Sequence, residues 1–355
     1  MNSLSKVIIS GPRTSGKTTL LHLLDGENNL VNYHHDKFLS LFDKLFIEQN
    51  KTDLLKDLKR KKSIIIKSRY LKKNEYLNIH NFKKFLYEIG YSWIESDALY
   101  YETPAHFSVK SFHKIAKHNF KFNFENFDKN IKNKIFCSNK QNFYFEELVD
   151  IYLKSYVENS KNKKKNKIKT IVFKSPNELT TIENCANEIL SCKIIYVKRD
   201  CLGLLKSRAL DLKIREKGKD INIYFQRVLF SKYLDNIKFS YQKINQLQKK
   251  FPKKLFITSL EKIIFNRFEE VTNILKFLRL KKKQIYFKPS FNNKKVDDAH
   301  IKKINDDDIY ISKKMINFFN LRNQGLKYYL DNPSEISLSN FFKFLYIKLK
   351  FLFQK

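Results

Sequence analysis

The sequence predicts an α/β fold of three layers, with a central parallel sheet and a helical insertion, on three observations. Near the amino terminus a β-rich run, Lys6 to Ser10, enters Gly11-Pro12-Arg13-Thr14-Ser15-Gly16-Lys17-Thr18, and an apolar helix over Lys17 to Leu24 follows. That segment satisfies G-x-x-x-x-G-K-[ST] in the strand–loop–helix context the pattern requires. Later in the chain, strand and helix signals alternate, which implies parallel strands joined by crossover helices. Between these regions, residues 40–165 carry apolar positions mostly at helical spacing and read as the insertion.

Taken in order, the first strand delivers the chain to a loop built for anions. Its glycines let the backbone close around phosphate oxygens, successive N–H groups and the helix N-terminus point at the anion, and Lys17 adds a mobile positive charge. The plainer reading of the same residues is a tight strand-to-helix turn. In the insertion, DKFLSLFDKLFIEQ and FEELVDIYLKSYVEN have the periodicity of amphipathic helices, and the run Asn159 to Lys169, NSKNKKKNKIK, reads as an exposed loop. Thr170 to Lys174 (TIVFK) is a buried strand, Leu179 to Ile189 a helix, and Lys193 to Val197 (KIIYV) the next strand. Leu204 to Arg215 is helical and Ile223 to Lys249 reads as one long amphipathic helix. Lys254 to Thr258 (KLFIT) is a further strand, and Phe268 to Leu280 a crossover helix. Residues 1–335 are thus expected to form one domain with its insertion, and 336–355 a basic, aromatic helix.

Composition limits the function classes. The 355 residues, 42% of them apolar, suffice for a full core. The net charge of +34, from 70 Lys and Arg against 36 Asp and Glu, would ordinarily point to nucleic acid. Here Lys, Asn, Ile and Phe are all abundant while Gly is 7 and Pro 6, the bias an AT-rich coding sequence imposes on any protein. The charge is therefore read as a solvated face that attracts anionic ligands, and no specific nucleic-acid partner is expected. Cys137, Cys185, Cys192 and Cys201 form no CxxC pair and have no histidines at zinc spacing, so neither a metal site nor a disulfide framework is indicated. The apolar run Val7 to Ile9 is too short for a signal-peptide core, and a reducing cytoplasm fits. In the tail Ser339 to Lys355, SNFFKFLYIKLKFLFQK, apolar residues cover most of a helical wheel among lysines. It reads as a helix docked on its own domain or as one lying in an anionic membrane surface.

A loop of this kind serves kinases and other nucleotide enzymes, which also place a magnesium-binding aspartate after an apolar strand. Here TIVFK ends in Lys174, KLFIT ends in Thr258, and KIIYVKRD reaches Asp200 only after Lys198 and Arg199. Strands ending in basic residues suit a donor held through its phosphates, with no metal expected. Arg199, at a strand end, and Ser207, eight residues on in the next helix, can converge on one phosphate by ion pair and hydroxyl hydrogen bond.

The run KSPNELTTIENCANEILSCKIIYVKRDCLGLLKSR resembles the PAPS-dependent sulfotransferases, whose pattern runs from K-x-P through a helix to a strand and R-D-P, with Ser at the eighth position after the Arg. In that family this pair holds the donor's 3'-phosphate, which implies the role for Arg199 and Ser207. SGKTTLLHLLDGENNLVNYHHDKF looks like the family's amino-terminal S-G-T-T-L-L segment, SLEKIIFNRFEEVTNILKFLRL resembles its Y-E-D-L block and following helix, and KPSFNN its late P-T-x-x-G. The resemblance touches blocks from Val7 to about Asn293, with little to match between Phe38 and Thr170. It departs at Thr14, where the family carries a basic residue, at Lys17, usually Thr, and at Cys201, usually Pro.

What the resemblance implies is transfer of sulfate from PAPS (3'-phosphoadenosine 5'-phosphosulfate) to an acceptor hydroxyl, with carbohydrate or glycolipid the preferred acceptor class. Gly11, Arg13, Thr14, Ser15, Gly16, Lys17 and Thr18 would cradle the donor, with Arg199 and Ser207 on its 3'-phosphate. The cation on the bridging oxygen would be Lys17, Arg13 or Lys174. The base is expected at His35, ten residues after Asp25, where the tyrosine-sulfating branch carries a glutamate, with Asp36 as substitute. Taken alone, the pair His34 and His35 is more often a surface feature or a core hydrogen-bonding group than a base. Trp93 with Tyr91 could line an acceptor cleft or simply pack, and Glu261 reads as a structural partner. Two other functions stay open: a kinase using ATP and magnesium, and a non-catalytic anion-binding protein of the same fold.

Overall fold

The computed structural model describes residues 4–24, 29–33, 76–78, 126, 129–130, 133–134, 142–159, 168–174, 192–280, 290–291, 294–295, 311–331 and 336–353. Five of its strands form one parallel sheet: β1 (Ser5–Ser10), β2 (Leu30–Tyr33), β5 (Thr170–Lys174), β6 (Cys192–Lys198) and β7 (Leu255–Ser259), in the order β2-β5-β1-β6-β7. Two short antiparallel pairs, β3 (Tyr76–Asn78) with β4 (Asn142–Tyr144) and β8 (Ser290–Phe291) with β9 (Lys294–Lys295), stand apart from it. The helices are α1 (Lys17–Leu24), α2 (Phe145–Asn159), α3 (Cys201–Arg215), α4 (Ile221–Phe230), α5 (Tyr233–Lys250), α6 (Leu260–Phe265), α7 (Arg267–Leu278), α8 (Lys313–Gln324), α9 (Leu326–Asp331) and α10 (Leu338–Phe353). The expected α/β fold with a central parallel sheet is present.

The chain divides into two compact units. One comprises 1–11, 16–198 and 244–301, the other 12–15, 199–243 and 302–355.

In the first unit the strands are continuous apolar runs because a parallel sheet is covered on both faces. Val7, Ile8 and Ile9 of β1 and Ile194 and Ile195 of β6 have no exposed surface. Val7 and Ile9 join Leu20 and Leu24 of α1 and Ile274 of α7 in one core cluster. Lys6, buried in β1, is stabilised by an ion pair of 2.5 Å to Asp150 of α2. Asn32 of β2 donates to the Leu21 carbonyl at 2.9 Å, which ties the edge strand to α1. From β1 the sequence next reaches the β2 edge, and from β6 it reaches the β7 edge. That divergence makes the carboxyl ends of β1 and β6, paired in register at Ser10 and Tyr196, the switch point where α/β sheets open a crevice for ligands.

The second unit is built from helices. Leu205 and Ala209 of α3, Phe225 and Leu229 of α4 and Phe318 of α8 are buried together. Phe344 of α10 completes an aromatic group, its ring centroid 5.5 Å from Phe230 and 5.7 Å from Phe318. The tail thus docks through Phe344 and Ile347 while Leu338, Phe342, Tyr346 and Leu349 stay exposed. The predicted single helix over Ile223 to Lys249 is instead two, α4 and α5. Ser231 is extended at φ −76° and ψ 173°, its hydroxyl donates to the Val228 carbonyl at 2.7 Å, and its oxygen accepts from Tyr233 N–H at 3.1 Å. One serine closes one helix and opens the next. Among the described residues no helix is long and apolar enough to cross a membrane.

Candidate active site

The loop after β1 contributes to both units, its base to the first and its tip to the second. At the base, Gly16 has φ +91°, a left-handed conformation that a side chain disfavours. A methyl group there would also collide with the Leu260 side chain. Glycine is therefore required for the backbone to turn into α1. Lys17 Nζ donates to the Gly11 carbonyl at 2.6 Å, folding the ammonium back over the loop. Lys174 Nζ, at the end of β5, donates to Thr18 Oγ1 at 3.0 Å. Two cations thus sit on the loop base and the first turn of α1.

At the tip, Thr14 has φ 65°, a strained conformation for a β-branched residue. Its hydroxyl donates to the Arg13 carbonyl at 2.6 Å. Ser15 N–H closes the turn onto the Pro12 carbonyl at 3.2 Å. Ser15 Oγ is buried with no hydrogen-bond partner. Such a hydroxyl is an orphan that a phosphate oxygen would satisfy.

Arg199 is the centre of the second unit's polar cluster. Its Nη1 donates to the Thr14 carbonyl at 3.0 Å and to Ser207 Oγ at 2.6 Å, so the strand-end arginine, the helix serine and the loop tip meet. Three local features hold it there. Tyr241 Oη accepts from Arg199 N–H at 2.9 Å and donates to the Arg199 carbonyl at 2.7 Å. Asp200 caps α3 by accepting from Gly203 N–H at 2.6 Å. Gly203 leaves the space over that first turn, where a methyl group would strike the Asp200 carboxylate and the Arg199 guanidinium. Cys201 takes the first helical position, where the missing proline N–H of the family pattern would in any case have gone unpaired. Burial, with Asp200 nearby, pushes its thiol up despite Lys238, and the side chain packs against the apolar cluster of the second unit.

Asp211, one helical turn beyond Ser207, gathers Arg208 at 2.6 Å, Arg215 at 3.1 Å and Arg13 at 3.3 Å. Tyr233 Oη reaches the Arg13 carbonyl at 3.5 Å. Burial raises the Tyr233 phenol, so it remains a neutral donor. Tyr233, Tyr241 and Asp211 were not singled out by sequence. The two tyrosines stand eight residues apart on α5, and Asp211 lies within hydrogen-bonding spacing of two arginines on α3; both patterns are visible once the helices are known.

The other expected site residues lie elsewhere. His35 is outside the described residues, two positions past the end of β2, and so are Asp36, Asp25, Tyr91 and Trp93. Among the described residues no group of three or more His, Cys, Asp or Glu gathers as a metal site would. Glu261 lies in the first turn of α6, after the Ser259 cap.

The chain matches no protein-family model and no curated protein sequence. Solved structures similar to it include the sulfotransferase domain of the curacin biosynthetic pathway, at 12% identity and TM-score 0.37 over 80% of this chain and 76% of that one. The sulfotransferase domain of a Synechococcus olefin synthase aligns at 13% identity and TM-score 0.38, covering 79% of this chain and 74% of its own. A sulfotransferase from Mycobacterium avium aligns at 12% identity and TM-score 0.37, covering 80% and 66%. The fold rests on the chain's own strand order and register.

Proposed function

We propose that the protein is a sulfotransferase that takes sulfate from PAPS and passes it to an acceptor hydroxyl on a carbohydrate or a glycolipid, in the cytoplasm. The observation that carries the reading is the meeting of Arg199 with Ser207 Oγ and the Thr14 carbonyl, a guanidinium and a hydroxyl beside the tip of a phosphate-type loop. Arg199 and Ser207 bind the 3'-phosphate by charge-assisted hydrogen bonds. The loop's N–H groups other than that of Ser15, with the N-terminus of α1, bind the 5' side, and the orphan Ser15 hydroxyl supports an anion there. The donor supplies a sulfuryl group on a phosphate leaving group. Lys17 and Lys174 neutralise charge growing on the bridging oxygen as its bond to sulfur breaks. His35 accepts the acceptor's proton as the new oxygen–sulfur bond forms.

The kinase reading is disfavoured by one contact. In an ATP-dependent loop the Thr18 hydroxyl would bind magnesium, whereas here it accepts from the Lys174 ammonium at 3.0 Å. A divalent cation would have to displace a like charge. Incubation with PAPS and a panel of sugars and glycolipids, read as release of 3'-phosphoadenosine 5'-phosphate (PAP) with sulfated product, tests the reading. Product formed without added metal, and lost in His35→Ala, is expected. Transfer of phosphate from ATP to the same acceptors would overturn it.

A further inference from the structure

The tail helix α10 has two apolar faces, and the protein covers one of them. Phe344 and Ile347, three residues apart, enter the core of the second unit. On the opposite side Leu338, Phe342, Leu345 and Leu349 follow the i, i+4, i+7, i+11 spacing of a single stripe, with Tyr346 beside it. These are large side chains and they are open, Phe342 at 59% and Tyr346 at 66% of full exposure. Lysines frame the stripe: by helical geometry Lys343 and Lys350 lie along one border and Lys348 along the other. Among the described residues of α10 there is no Asp or Glu.

We propose that this stripe seats the protein on an anionic lipid surface, with Leu338, Phe342, Leu345, Tyr346 and Leu349 entering the acyl boundary and Lys343, Lys348 and Lys350 meeting phosphate headgroups. The charge pattern selects this occupant. A second copy would bring the same lysines against themselves, whereas an anionic bilayer complements both the stripe and its rims. Positive charge also gathers at one rim. Lys314 of α8 lies against Lys343, and burial together with that neighbouring charge lowers its ammonium below the ordinary lysine range. A headgroup phosphate settling on the pair relieves the repulsion. The proposal is independent of the sulfotransferase reading.

Cosedimentation of the full chain with vesicles tests it, comparing phosphatidylcholine alone with phosphatidylcholine containing phosphatidylglycerol. The wild type should pellet with the mixed vesicles only and be released by salt. Lys343→Gln/Lys348→Gln/Lys350→Gln should lower partitioning on the order of a hundredfold, about fivefold per lysine. Phe342→Ser/Leu345→Ser/Leu349→Ser should abolish it with an unchanged melting temperature. In Leu349→Trp, difference fluorescence against the wild type, whose single tryptophan is Trp93, should shift to the blue on adding mixed vesicles. Wild type left in the supernatant would overturn the proposal. So would serine variants that still pellet, or a dimer that they dissociate while no form binds vesicles.

Discussion

Single residues at the loop have separable roles. Gly16 serves conformation, at φ +91° with no room beside Leu260, so Gly16→Ala should cost about 1–3 kcal/mol in chemical denaturation. Under the proposed function Ser207, buried and bonded to a guanidinium, is the hydroxyl that meets the donor's 3'-phosphate. Ser207→Ala should weaken PAP about tenfold or more, equivalent to roughly 1.5–3 kcal/mol for a hydrogen bond to a charged group, while leaving the fold intact. Equal PAP affinity in the variant would remove Ser207 from the site. The pairing of Arg199 with Ser207 was legible because the strand end and the eight-residue spacing are local. The Tyr241 clamp on Arg199 was not, since 42 residues separate the two and no periodicity relates them. The Asp211 contact to Arg13, 198 residues away, was hidden for the same reason.

At the scale of elements, four of the five strands of the parallel sheet are legible in the sequence, whereas β2 and the helix ends are less so. TIVFK and KIIYV are apolar through their centres, which a strand buried on both faces demands. The break between α4 and α5 escaped because apolar periodicity runs through it without Gly or Pro, the punctuation that sequence reading depends on. A serine that bonds both ways is a weaker signal. In α10 the sequence shows apolar residues nearly all round and cannot say which face docks. The buried Phe344 settles that, and Phe344→Ala should cost about 3–5 kcal/mol by urea unfolding. Leu349→Ser, on the open face, should stay within about 0.5 kcal/mol of wild type. Similar losses for both would mean that the helix docks through the other face.

For the whole molecule, alkaline pH is the revealing variable. Burial in β6 raises the Tyr196 phenol above its ordinary value near 10. Below that pH the phenol is protonated in both folded and unfolded chains and has no effect on the pH dependence. Above it the unfolded chain loses the proton first, so the native state binds more protons and stability falls as pH rises. Tyr196→Phe should make that decline shallower by up to about 1.4 kcal/mol per pH unit, read from urea midpoints. A decline as steep as the wild type's would show that the buried phenol is not its source. The net charge of +34 also favours any anionic ligand at low salt, so selectivity and not bare affinity must identify the donor.

Selectivity is measured most directly by calorimetry of PAP against ATP with magnesium, on the wild type and on Arg199→Ala, at moderate salt. PAP should bind at about micromolar Kd without metal, weakened on the order of a hundredfold by Arg199→Ala, with ATP and magnesium binding poorly to both. Tighter binding of ATP with magnesium, indifferent to Arg199, would contradict the sulfotransferase reading and make the protein a kinase-type P-loop enzyme.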